Sequence, residues 1–129
     1  MIIEDRGYWT KNEEKFSEVQ EGLRKSKFFL KKLNNLLVEN NVKTYLIVYP
    51  WPAQIVYGDS RHQVYWEKFS NDNNINFINL YDQFKGDDKR EVILNNFIYG
   101  DIHWNKNGNL KILEGLSKKR IFEEIGSLK

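Results

Sequence analysis

Residues 42–50 read VKTYLIVYP, an unbroken β-branched and aromatic run closed by a proline. A strand with one wet face alternates apolar and polar side chains. This run does not alternate, so it has to be covered on both faces, as the strands of parallel sheets are. Parallel neighbours require a crossover connection, usually a helix, and helical patterns stand on either side of the run.

Upstream, Phe16, Val19, Leu23, Leu30, Leu33 and Leu37 keep helical spacing, and Thr10 with Glu13 has the spacing of a capping box. These features predict a helix over 11–40, weakened at Gly22 and stopped by ENN before Val42. Downstream, WPAQIVYGDS carries two prolines and a glycine and reads as loop. Gln63 to Asn73 then suits a short helix with Val64, Trp66 and Phe69 as its apolar positions. INFINL at 75–80 is a second strand, 81–88 a polar loop and 89–95 a short helix. A further loop spans 96–107, and the last helix runs 109–125 with Leu110, Leu113, Leu116 and Ile121 inward. Strands alternating with helices imply right-handed crossovers and a layered α/β domain with a small parallel sheet. At 129 residues there is material for one domain, and no repeat or linker divides it.

Composition excludes several kinds of function. With 20 basic and 18 acidic residues the net charge is +2, too small for an electrostatic footprint on nucleic acid or an anionic membrane. The basic stretch RKSKFFLKK at 24–32 reads as the wet side of an amphipathic helix. With no cysteine, thiolate catalysis, thiolate metal sites and disulfides are all unavailable. MIIEDRGYWTKNEE lacks the apolar core of a signal peptide, and no stretch approaches the ~18 apolar residues of a membrane span. The chain as it stands is expected to be soluble and cytoplasmic.

Chemistry then falls to oxygen and imidazole groups, and one place concentrates them. In GDIHWNKNGN, residues 100–109, Asp101 and His103 stand one residue apart in a loop beyond the second strand. Open α/β sheets gather their reactive groups in such loops. A carboxylate that accepts from one ring nitrogen fixes the tautomer, leaving the other nitrogen to take a proton from a nucleophilic hydroxyl. The bland alternative is a loop histidine packed by Trp104. Asn105 suits the cap of the last helix, and Gly108 suits a close approach of that helix to the sheet. Metal binding by Asp101 and His103 is not expected, because no third ligand is near in sequence.

YLIVYPWPAQI, INFINLYDQF and GDIHWNKNGN, in this order and spacing, resemble the later part of an SGNH (GDSL-type) hydrolase domain. The resemblance covers most of the chain. It implies a partial flavodoxin-like, three-layer fold and esterase or O-acyltransferase chemistry on acyl esters, carbohydrate esters among them, with no cofactor. It places the catalytic Asp and His at Asp101 and His103. The family block is more often Asp-x-x-His, and the Asp-x-His-Trp form here resembles the variant in alginate O-acetylation proteins. The helix and strand at 11–49 are similar to those that follow the family's third block. The resemblance therefore implies that the nucleophilic serine and the oxyanion-hole glycine and asparagine lie outside this chain, which by itself is expected to be inactive.

Gly58-Asp59-Ser60 spells the family's nucleophile motif, yet it stands in a loop well past the first of the two strands here, and Gly-Asp-Ser is also ordinary turn chemistry. Ser60 is a candidate nucleophile, with helix capping by Asp59 or Ser60 the favoured role. Pro50, Trp51 and Pro52, with Trp104, suit either an acyl pocket or a rigid lid over the core. His62 reads as a surface residue. The partners expected are an acyl-ester substrate and, because two strands make a marginal sheet, a second copy or a missing N-terminal segment pairing along a free edge. The alternative function is a non-catalytic binding or assembly module that kept the scaffold.

Overall fold

The dominant apolar run is strand β1, Tyr45–Val48, and its partner is β2, Asn76–Asn79. They pair in parallel, with Tyr45 opposite Asn76 and Val48 opposite Asn79. The computed structural model describes residues 13–119 and Gly126, so the predicted Thr10 cap and the inward Ile121 lie outside the described residues. Among the described residues these two strands form the entire sheet.

Both faces of the pair are covered, as the unalternating β1 pattern requires. On one face Ile112 and Leu116 pack against Ile78 and Leu80. On the other, the helix α4, Arg61–Asp72, lies across β2, and Asn79 Nδ2 donates to Gln63 Oε1 at 2.6 Å. Adjacent residues Ile78 and Asn79 serve opposite layers because successive side chains of a strand point to opposite faces. The result is a mixed α/β chain, mostly helical, around a small parallel sheet.

The predicted helix 11–40 is two helices, α1 at Glu13–Glu18 and α2 at Gln20–Glu39. Gln20 Nε2 donates to Phe16 O at 3.0 Å, engaging the carbonyl that the Gln20 amide would use in a continuous helix. Leu23 and Asn34 carry the buried side of α2, and Asn34 Nδ2 ties it to Asn73 O. Leu33, expected inward, is exposed, and so are Phe28, Phe29 and Leu36.

The stretch read as loop after Pro50 contains a helix, α3 at Pro52–Tyr57. Its prolines and glycine act as start and stop signals. Pro52 occupies the first turn, where a missing N–H costs nothing, and Gly58 ends the helix in the left-handed region at φ 65°, donating to Gln54 O. Tyr81–Phe84 forms a 3₁₀ turn inside the predicted polar loop. Helix α5, Lys89–Asn96, is capped by Asp88, whose Oδ1 accepts from Arg90 N and Glu91 N.

Helix α6 is Lys106–Lys118, starting three residues before the predicted boundary because Asn105 caps it. Leu110 and Leu113, expected inward, are exposed, whereas Gly108, Ile112, Gly115 and Leu116 face the interior. An inward face led by glycines is invisible to a count of apolar side chains. Beneath α5 and the loop that follows it, Phe84, Ile93 and Phe97 form a second cluster with Ile55, Val56 and Trp104.

Val48 O accepts from Leu80 N at 2.9 Å and Thr44 O from Asn76 N at 3.2 Å. By alternation Tyr45 and Ile47 turn their amides to the opposite edge of β1, where no described strand meets them. Among the described residues no helix is long and apolar enough to cross a membrane.

Candidate active site

The segment 97–105 is a tight hairpin-like loop. Phe97 and Trp104 form an antiparallel bridge, and Ile98 N donates to His103 O at 2.9 Å. Asp101 N closes a turn on Ile98 O at 3.0 Å, with Gly100 at φ 76°, where a side chain would be strained. This turn folds Asp101 back toward His103.

Asp101 Oδ1 accepts from the Ile102 amide at 2.6 Å and lies 2.9 Å from His103 Nδ1. An ionised carboxylate only accepts, so Nδ1 carries the proton and donates, and in the neutral ring Nε2 keeps its lone pair. The Ile102 amide, then the His103 ring, hold the Asp101 carboxyl below its ordinary value. The imidazole is 67% exposed and the carboxylate 39%, so the pair is open to incoming groups. Among the described residues Asp101 is the only hydrogen-bond partner of the His103 ring.

The loop is anchored from behind. The Trp104 ring meets Tyr49 edge-on at 4.2 Å between centroids and stacks over Phe84 at 6.5 Å. Tyr49 follows β1 directly, which places the Asp101–His103 loop beside the carboxyl end of that strand. Asn105 then caps α6, its Oδ1 accepting from Asn107 N and Gly108 N, while its Nδ2 donates to Asn95 O and Phe97 O. Trp104 therefore supports the loop, and its indole N–H is buried without an acceptor among the described residues.

The other predicted residues are dispersed. Ser60 is exposed at the N-cap of α4, and its side chain makes no cap bond and none to His103 among the described residues. Asp59 does the capping, its Oδ1 accepting from Arg61 N at 2.8 Å. Pro50 and Pro52 are buried, Pro50 lining a cavity with Asp59 and Tyr81, and Trp51 lines a groove along β1.

His62 is not a surface residue. It is half-buried, with Nδ1 at 3.2 Å from Tyr81 Oη and Nε2 accepting from Trp66 Nε1 at 3.2 Å. Burial pushes its pKa down to about 4, against the opposing pull of Asp59. The spacing of His62 and Trp66, four apart on one helix, was a legible signal for that half of the contact; Tyr81 comes from the far side of β2.

No protein-family model, curated protein or solved structure matches the chain.

Proposed function

We propose that this chain carries the acid–base arm of an SGNH-type ester hydrolase or O-acyltransferase of flavodoxin-like ancestry, acting on acyl esters such as those of carbohydrates. His103 is the general base, Asp101 orients it, and the nucleophilic serine comes from outside this chain. The observation that carries this reading is the 2.9 Å contact of Asp101 Oδ1 with His103 Nδ1, with Nε2 left open in a loop at a strand's carboxyl end. In acyl transfer that nitrogen takes the serine proton as the alkoxide attacks the ester carbonyl, and returns it to the departing alkoxide.

The first test is the tautomer. Two-bond ¹⁵N–¹H correlation is expected to report His103 protonated on Nδ1, and Asp101→Ala to move the proton toward Nε2. An Nε2–H tautomer in the unsubstituted protein would overturn the assignment. The second test is turnover. The chain alone is expected to hydrolyse p-nitrophenyl acetate no faster than free imidazole does, because a base without nucleophile and oxyanion donors cannot assemble acyl transfer. Robust turnover abolished by Ser60→Ala would instead make Ser60 the nucleophile.

Apolar surface beside a β1 edge that no described strand meets supports a second reading, a binding or assembly module. Apolar Ile47 lies on that edge, and Phe29, Leu33 and Trp66 line an adjoining groove. Unpaired edges of apolar strands recruit further strands. Size-exclusion chromatography with light scattering is expected to show mass rising with concentration. A single monomeric mass across the micromolar range would remove the support for assembly.

A further inference from the structure

Beyond the carboxyl ends of both strands lies a cavity of about 590 Å³ that contains neither Asp101 nor His103. Pro50, just after β1, and Phe84 give it apolar walls, and Asp59, Gln63, Tyr81 and Lys89 bring polar groups to it. Such crevices are where open α/β sheets take their ligands.

Two hydrogen-bond chains lead to this cavity, and each starts from a group that can only donate. The first starts at Trp66 Nε1–H, which donates to His62 Nε2. That nitrogen must be bare, so the neutral ring carries its proton on Nδ1 and gives it to Tyr81 Oη. The Tyr81 hydroxyl proton is therefore not used on His62, and it has no acceptor among the described residues. The second chain starts at the Tyr81 backbone N–H, which donates to Asn79 Oδ1 at 2.9 Å. Asn79 Nδ2 must then be the donor to Gln63, so the Gln63 atom it meets is Oε1, and Gln63 Nε2 with both its protons is turned away, with no partner among the described residues.

Asp59 supplies the complementary acceptor. Its side chain is only 8% exposed, and Arg61 occupies two of its roughly four lone-pair sites. Lys89 Nζ spends one proton on Val56 O at 2.9 Å and keeps two. Charge at the cavity is balanced. Of the lining carboxylates Asp59, Asp82 and Asp87, Asp59 pairs at 3.3 Å with Arg61, which stands outside the lining, and Asp82 pairs at 2.6 Å with lining Lys85, while Lys89 is the second lining cation. A net ionic ligand gains nothing from such a site, whereas a group that both accepts and donates is served on each side.

We propose that this cavity binds a neutral polyhydroxylated ligand, a sugar or polyol, whose hydroxyls accept from Tyr81, Gln63 and Lys89 and donate to Asp59. The site does not depend on the ester chemistry assigned to His103. Titration of the ¹⁵N-labelled protein with maltose, cellobiose, chitobiose and myo-inositol is expected to give saturable shifts of the Gly58, Asp59 and Gly86 amides with at least one of them. Tyr81→Phe and Gln63→Ala are each expected to weaken that binding about fivefold, the effect of one neutral hydrogen bond, with thermal unfolding checking that each variant is folded. Gln63→Ala alone decides the matter if Tyr81→Phe fails to fold. Absence of saturation with every neutral probe, tighter binding of inorganic phosphate, or unchanged affinity in a folded variant would overturn the proposal.

Discussion

Gly108→Ala is expected to destabilise the protein by about 3 kcal/mol, the upper end of what overpacking does, and to lower its melting temperature by on the order of 10 °C. Gly108 is the third residue of α6, and a methyl there would be driven into the Asn96 carbonyl oxygen, with Trp104 Cβ at 2.9 Å on another side. Neither neighbour has room to yield. Asn96 O already accepts from Asn105 N, and the Trp104 ring is held between Tyr49 and Phe84. Relief requires α6 to move off the loop, which breaks the Asn105–Asn96 bond and releases the hairpin carrying Asp101 and His103. Gly22→Ala is the control, since nothing stands within 4 Å of its Cβ position in the exposed part of α2. Removing a helix-interior glycine there is expected to stabilise by up to about 1 kcal/mol. Thermal unfolding followed by circular dichroism checks both; equal effects of the two substitutions would show that α6 is not closely packed at Gly108.

Acidification is expected to remove about 3 kcal/mol of stability through His62 alone. Its pKa lies at about 4 in the folded chain against an ordinary 6.5, because burial penalises the imidazolium. The unfolded chain therefore binds more protons than the folded one between those values, and stability rises with pH across them. The contribution is whole above pH 6.5 and is lost as pH falls toward 4. Protonating Nε2 would also set it against the Trp66 indole N–H, two donors face to face. Urea midpoints measured from pH 7.5 to 4 should fall steeply in this window, and the slope should shrink in His62→Gln, which cannot take up the proton. A flat profile in the unsubstituted protein would show that His62 is solvated. Asp101, exposed and with its carboxyl already held low, adds little above pH 4.

The candidate dyad was legible because it is local. Asp101 and His103 sit two positions apart with a glycine before them, and a turn at Gly100 suffices to join them. Asn105 was legible as a cap for the same reason, since a side chain accepting from amides two and three residues on needs no distant partner. His62 was misread because its environment is assembled from afar. Tyr81, nineteen positions on, and the fold of α4 against β2 turn a residue of a polar segment into a half-buried acceptor. Proline and glycine around α3 were read as breakers because their signal reverses with position: Pro52 in the first turn and Gly58 past the last are helix boundaries.

By itself, the sequence determined the parallel pairing of YLIV with NFIN, since apolar strands without alternation must be covered on both faces and joined through helices. It also marked Asn105 as the cap of α6, because that side chain acts on amides only two and three residues on. Only the tertiary structure decided which face of α6 turns inward, because the close approach at Gly108 and Gly115 brings Ile112 and Leu116 inside and leaves Leu110 and Leu113 out. It alone decided where the Tyr81 hydroxyl proton and the Gln63 amide protons are left, because each is set by a donor on another element, His62 on α4 for Tyr81 and Asn79 on β2 for Gln63.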